Sequence, residues 1–290
     1  MRILITGHAG FIGSKLAKRL LLMDHEVFGI DNFSTGKQER IDFGPKLKNK
    51  LTTIQCDLKD YDTTEKYIRK IQPAIVFHLA AKTSVPDSFI NPREYWLNNV
   101  DATYNLLVAI SHLDRSPKFI FASSSSVYGS QAKHNVTESD SQGASQLSPY
   151  ALTKMICENT IRMESRLKNF PFIILRYFNV YSNTSEGRGV VDKWISAREK
   201  GESIYQYGNT LRDYTHVEDI VTANILAMTY IYSDTFNIGS GRGISLSSLA
   251  TYLKVTPIQR NSRFGDITCC TADIAKARRE LNYVPIFSAF

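Results

Sequence analysis

Tyr150 and Lys154 stand four residues apart, downstream of the run Ser123-Ser124-Ser125-Ser126. Ser148 and Pro149, just ahead of them, read as the N-cap and first position of a helix, so side chains four apart share a face. An ammonium beside a phenol favours the phenolate and pulls its pKa down from about 10 toward the working range of a general base. Such a pair suits the oxidation of an alcohol. In isolation a Tyr four before a Lys on an amphipathic helix is ordinary packing, so its meaning depends on the elements that position it.

Those elements begin at the N-terminus. An apolar, β-branched run through Ile5 breaks into Gly7-His-Ala-Gly10-Phe-Ile-Gly13 and then into the helical pattern from Ser14 to Leu22. Glycine lets the backbone approach a pyrophosphate, and the helix N-terminus behind it offers free N–H groups to that anion. A second strand, Glu26 to Asp31, ends in an acid placed to accept both ribose hydroxyls and to repel a 2′-phosphate. NAD(H) is expected over NADP(H). Strand and helix signals alternate to about residue 180, as a doubly wound parallel sheet requires, and become irregular beyond it.

With G-x-x-G-x-x-G, the serine run and the Tyr/Lys pair in order, the chain resembles the extended short-chain dehydrogenase/reductase family. More narrowly it is similar to the NAD-dependent nucleotide-sugar epimerases and dehydratases. The resemblance runs on through Cys56-Asp57-Leu58, His78-Leu-Ala-Ala81, Asn99-Val, Arg176-Tyr-Phe-Asn179, Arg212-Asp-Tyr-Thr-His-Val217, Phe236-Asn-Ile-Gly239 and Arg263-Phe-Gly-Asp266. It implies an α/β fold: a Rossmann-type doubly wound parallel sheet with a smaller C-terminal substrate-binding lobe. Residues 1–180 would form the NAD-binding domain, with returns to the sheet near 205–239, and 181–290 mainly the interleaved substrate lobe. It implies a cofactor site of Gly7, Gly10, Phe11, Ile12, Gly13, Asp31, Asn32, Asp57, Leu58, Leu79, Ala80, Ala81, Lys82, Asn99, Tyr150, Lys154 and Tyr177.

The same resemblance assigns Tyr150 as base, Lys154 as its electrostatic support and Ser124 as hydrogen-bond partner of the reacting oxygen. A nucleotide-diphosphate sugar would be held by Asn179, Arg212 and Arg263, with Asp266 near the nucleoside ribose, and Ser84, Ser124 and Tyr150 at the sugar. Cys270 falls where a small side chain admits an N-acetyl group. Oxidation at the sugar C4 gives a ketone that turns and is reduced on its other face, which is 4-epimerisation. Sugar 4,6-dehydratases carry acids at the positions of Ser125 and Ser126, and uronate decarboxylases a Glu at the second. Serine cannot replace them at neutral pH. The alternatives are a C4 dehydrogenase or reductase of a UDP-, GDP- or CDP-sugar, behind it a 4,6-dehydratase or uronate decarboxylase, and, outside enzymes, a catalytically silent NAD-sensing scaffold. Two departures from the family are the short segment Ser182 to Gly189 and a chain ending at Phe290, about where a final helix normally begins.

Bulk properties agree with such a protein. Two hundred and ninety residues with 43% hydrophobic composition supply a sizeable core. No stretch has transmembrane length, and the formal charge of +7 fits an anionic substrate. Basic residues are dispersed apart from Lys46, Lys48 and Lys50, so no nucleic-acid partner is expected. Cys56, Cys157, Cys269 and Cys270 lack metal-ligand spacing, the histidines do not cluster, and no metal is expected. His8, His78 and His216 read as local hydrogen-bonding residues. A reducing cytoplasm is the expected setting. The helix carrying Trp96, Val100, Leu107 and Ile110 and the helix after Pro149 correspond to the family's dimer helices, which implies a homodimer; the alternative is that their apolar faces simply cover the sheet, which needs no partner.

Overall fold

The computed structural model of the chain describes residues 1–141, 145–187, 189–262 and 266–288. Strands are β1 Arg2–Thr6, β2 Glu26–Asp31, β3 Leu51–Gln55, β4 Ile75–His78, β5 Lys118–Ser124, β6 Phe172–Tyr177, β7 Asn179–Tyr181, β8 Tyr205–Tyr207, β9 Leu211–Arg212, β10 Tyr214–His216, β11 Asp234–Ile238, β12 Ile244–Ser245, β13 Ile258–Arg260 and β14 Cys269–Cys270. Helices are α1 Phe11–Leu22, α2 Pro45–Lys48, α3 Tyr61–Ile71, α4 Val85–Ile90, α5 Pro92–Tyr95, α6 Ala102–Ser111, α7 Pro149–Lys168, α8 Val190–Lys200, α9 Val217–Thr229, α10 Leu246–Leu253 and α11 Ala275–Leu281. The chain divides into two units, the first comprising Met1–Ser123, Ser148–Leu175 and Ala227–Thr235, and the second Ser124–Leu147, Arg176–Leu226 and Phe236–Phe290.

The sheet of the Rossmann-type fold has seven strands in the order β11-β6-β5-β4-β1-β2-β3. Pairing is parallel from β3 through β2, β1 and β4 to β5. Central strands of a parallel sheet are covered on both faces, so they read as continuous apolar runs. All of Ile75–His78 is buried, and so is β1 after Arg2. The register aligns Thr6 with Ile30 and His78, and His78 with Phe121, so the carboxyl ends of four strands open at one edge. Ligands bind at that edge in doubly wound folds. The core of the first unit joins Leu4, Val76, Phe119 and Phe121 to Leu106, Leu107 and Ile110 of α6 and to Cys157 and Ile161 of α7.

Helix α7 begins as its sequence dictates. The Ser148 hydroxyl accepts from the Ala151 amide at 3.1 Å, and Pro149 fills the first turn where no donor is needed. The helix started by Pro92 runs on to Ser111, but Trp96–Asp101 widens to π-helical hydrogen bonding before α6 resumes. Such a bulge re-aims side chains and is frequent at functional sites.

The second unit is built from short pieces. β7 pairs in parallel with β10, β9 lies between antiparallel β12 and parallel β14, and β8 pairs with β13. Its core packs Trp194 and Ile195 of α8 and Leu249 and Leu253 of α10 with Tyr181 and Tyr214.

Candidate functional site

The glycine loop lies at the carboxyl end of β1, and each glycine has a steric cause. Gly7 has φ +74°, and a Cβ there would meet the Ala80 amide nitrogen at 2.7 Å; one at Gly13 would meet the Gly7 carbonyl oxygen at 2.2 Å. No side chain fits either position. Gly7 and Gly10 open onto a cleft also lined by Asp31, Asn32, Asp57, Leu58, Leu79, Ala80, Ala81 and Lys82, ten residues the sequence assigns to a cofactor. The cleft further takes in Ile30, Ser34, Thr35, Gly36, Cys56, Asn98 and Ala102, which the sequence reading omits. Gly36 sits close enough that a Cβ would meet Asp31 Oδ1 at 2.8 Å. The small polar Ser34-Thr35-Gly36 stretch was the only signal available for it.

Asp31 is held by two backbone amides. Its Oδ2 accepts from the Ala9 amide at 3.1 Å and its Oδ1 from the Phe33 amide at 2.8 Å. Each oxygen retains acceptor capacity, which two ribose hydroxyls would use. The glycine cradle and the acid together fit a dinucleotide. Asp31→Ala is expected to narrow the preference for NAD over NADP, measured by calorimetric titration with both; unchanged affinities for both would remove Asp31 from the site.

Phe11, Ile12 and Gly13 lie in the first turn of α1, outside the cleft lining. Asn99, on the π-helical turn, accepts from the Lys82 amide at 2.8 Å and donates to the Lys82 carbonyl at 3.0 Å and to Thr153 Oγ1 at 3.0 Å. Its amide is thus occupied with protein groups and shapes the cleft wall. The Lys82 ammonium is paired with Glu94 at 2.5 Å. Ser84 caps α4, its hydroxyl accepting from the Asp87 amide at 3.3 Å.

Tyr150 and Lys154 are both buried on α7, and the Tyr95 ring meets Tyr150 edge-on with centroids 6.4 Å apart. Lys154 Nζ donates to the Ala122 carbonyl of β5 at 2.8 Å and lies 4.7 Å from the Phe121 ring centre. One turn along α7, Glu158 accepts from the Ser123 hydroxyl at 2.6 Å. Two bonds a turn apart fix the rotation of α7 on β5. Burial pulls the Lys154 pKa from 10.5 to about 8, opposed by the nearby Cys157 and Glu158.

Ser124 ends β5 and opens the second unit. Its Oγ accepts from the Ser126 amide at 3.2 Å and donates to Ser126 Oγ at 3.1 Å. Within the same unit, residues far apart in sequence become neighbours: Cys270 stands opposite Arg212 in the β9·β14 pair, and the Asn179 amide donates to the Asp213 carbonyl at 3.0 Å. Arg212 donates to the carbonyls of Leu211 and Ile267, and burial weighs against its charge, with Asp266 among the groups that favour it. Cys270 is buried, which pushes its thiol up to about 12. Tyr177 exchanges hydrogen bonds with Asn224, so its phenol is committed inside this unit. Arg263 lies outside the described residues. No group of His, Cys, Asp and Glu suited to a metal ion occurs among the described residues.

The histidines are hydrogen-bonding residues. His8 Nε2 lies 3.2 Å from Thr53 Oγ1, and His216 Nδ1 accepts from the Glu218 amide at 3.3 Å. His78 is bonded at both nitrogens.

The strand-edge cleft, its acid and the Tyr/Lys helix define a dinucleotide-dependent α/β enzyme. The model of the NAD dependent epimerase/dehydratase family matches residues 3–239, and the chain belongs to that family. A UDP-glucose 4-epimerase from Lactobacillus helveticus is 31% identical, over 98% of this chain and 92% of the relative. The crystal structure of UDP-glucose 4-epimerase from Thermotoga maritima, solved with UDP-glucose, superimposes with a TM-score of 0.90 at 32% identity, covering 98% of this chain and 94% of that one. A UDP-N-acetylglucosamine 4-epimerase from Methanobrevibacter ruminantium, in complex with UDP-N-acetylmuramic acid, gives 0.86 at 34% identity, covering 98% and 93%.

Proposed function

We propose that this chain is an NAD-dependent nucleotide-sugar 4-epimerase acting on UDP-hexoses and UDP-N-acetylhexosamines. The observation that carries the chemistry is the buried Lys154 ammonium, anchored on Ala122 one helical turn from Tyr150. Bound NAD supplies the acceptor and later the donor of the hydride. Tyr150 takes the proton of the sugar 4-hydroxyl and returns it, and Lys154 supports the phenolate by its charge. Ser124 orients the reacting oxygen by turning toward it the hydroxyl proton that it otherwise gives to Ser126 Oγ, while its oxygen keeps the bond from the Ser126 amide. Arg212, Asn179 and Arg263 grip the diphosphate, for which guanidinium forks are suited, and Asp266 takes the nucleoside ribose. Ser84 contributes to the sugar pocket.

Neither Ser125 nor Ser126 supplies the acid/base group that elimination of water demands. Incubation with UDP-sugars is therefore expected to interconvert C4 epimers, read by NMR, with no net NADH and no product lighter by water. Net NADH would instead identify a dehydrogenase.

Cys270 sets the size of the sugar pocket in this reading. Opposite Arg212 a thiol takes up less volume than a tyrosine, which would exclude an N-acetyl group by overpacking. Cys270→Tyr is expected to abolish turnover of UDP-GlcNAc and UDP-GalNAc while sparing UDP-glucose. Equal loss of both activities would remove Cys270 from specificity.

The active form is proposed to be a cytoplasmic homodimer. Of the positions that suggested it, Leu107 and Ile110 are buried in the core of the first unit with Val100 packed against it, while Trp96 is exposed, as are Tyr104, Leu152 and Met163, apolar surface of the kind copies of a chain cover. Light scattering is expected to give twice the chain mass; a monomer would overturn this. The four cysteines are unpaired thiols, in keeping with a reducing compartment. Among the described residues no helix is long and apolar enough to cross a membrane.

A further inference from the structure

The His78 ring lies between Phe119 and Phe121, centroids 5.8 Å and 5.7 Å away, and is fully committed to hydrogen bonding. Nδ1 is 2.6 Å from Thr6 Oγ1 and Nε2 is 2.8 Å from Thr103 Oγ1. The Thr103 hydroxyl donates its one proton to the Asn99 carbonyl at 2.5 Å, so toward His78 it can only accept, and Nε2 carries the hydrogen. In a neutral ring Nδ1 is then the acceptor of the Thr6 hydroxyl proton. Thr6 Oγ1 in turn accepts from the Ala80 amide at 3.3 Å.

The bonds run head to tail from the Ala80 amide through Thr6, His78 and Thr103 to the Asn99 carbonyl. Aligned bonds of this kind reinforce one another in a low-dielectric interior. Burial, seconded by the Lys154 charge, takes the imidazole pKa down to about 3, which keeps the ring neutral and the polarity fixed. At the far end the Asn99 side chain holds both main-chain groups of Lys82 and the hydroxyl of Thr153, the residue immediately before Lys154. One end of the chain of bonds thus begins on the cleft wall at Ala80. The other returns to that wall at Lys82 and reaches α7.

We infer that His78 is a positioning residue for the reaction, a neutral Nε2–H imidazole that locks the cofactor-cleft wall at Ala80 to Lys82 in register with the helix carrying Tyr150 and Lys154. This rests on the reading of that cleft and that helix as parts of one active site. His78 touches no reacting atom; it acts through Thr6, Thr103 and Asn99.

His78→Phe keeps the ring between Phe119 and Phe121 and removes both polar atoms. Thr103→Val removes only the hydroxyl, and Thr103→Ser restores it. Calorimetric titration with NAD is expected to show about tenfold weaker binding for His78→Phe and Thr103→Val, the scale of one broken bond in a buried network. Thr103→Ser should stay within about twofold of the parent, and kcat should fall in the first two variants with the KM for the sugar nucleotide little changed. A folded Thr103→Val with parental NAD affinity and kcat would overturn the inference, as would equal losses in the Ser and Val variants. Should His78→Phe not fold, the Thr103 pair decides alone. Were the parent to turn over no nucleotide sugar, the proposed function would fail while the NAD titrations still judged the role of His78.

Discussion

Tyr150→Phe is expected to lower kcat by at least about 10²-fold, the usual cost of removing a general base and equivalent to about 2.7 kcal/mol of barrier. Phe keeps the ring that meets Tyr95 edge-on at 6.4 Å, so packing survives the change. Only the phenolic oxygen is lost. The cleft proposed for the cofactor is lined by the glycine loop, Asp31 and the Leu79–Lys82 wall, and Tyr150 is not among its lining residues, so NAD affinity should stay within a few-fold of the parent. Stopped turnover with retained NAD would separate proton transfer from cofactor binding. Near-normal turnover in the purified variant would remove Tyr150 from the mechanism.

The parts of this site that were legible in the sequence are those whose chemistry is local. Ser148-Pro149 fixes a helix start within two residues, which sets the Tyr150/Lys154 face, and the observed Ser148 cap matches that reading. Gly7, Gly10 and Asp31 announce a cleft because strand, turn, helix and acid lie within one short βαβ stretch. What escaped depends on distance in sequence. Arg212 and Cys270 become strand partners through β9 and β14, each two residues long and too short to carry any periodicity. Ser34 to Gly36 line the cleft through a turn with no apolar pattern to flag it. The π-helical turn at Trp96–Asp101 interrupts a helix whose apolar spacing looks uninterrupted, yet it is what carries Asn99 to Lys82 and Thr153.

His78 shows the same limit from the other side. As a lone histidine ending a buried strand it reads as a hydrogen-bonding residue, and it is one. Its partners Thr6 and Thr103 come from a neighbouring strand and from a helix, 72 and 25 residues away. Only their convergence assigns the direction of the bonds.

Lys154→Met is expected to abolish most turnover, by about 10²-fold or more, and at the same time to make the protein more stable at pH 7. Methionine matches the length of the side chain and removes the charge that supports the phenolate, which accounts for the loss. The gain comes from burial. Lys154 has its pKa pulled from 10.5 to about 8, which corresponds to at most about 3 kcal/mol of stability withheld while the amine is charged in both states. Loss of the bond to the Ala122 carbonyl offsets part of this, leaving a net gain of about 1–2 kcal/mol. The pH dependence fixes the cause. Below pH 8 folded and unfolded chains both hold the proton, and the parent carries its full penalty. As pH rises from 8 toward 10.5 the folded parent releases the proton and the unfolded chain keeps it, so the parent gains stability and the advantage of Lys154→Met shrinks. Denaturant unfolding of both proteins from pH 7 to 10 measures that difference. A gap that stays constant across the range would mean that the buried ammonium is not what the native state tolerates for the sake of the reaction.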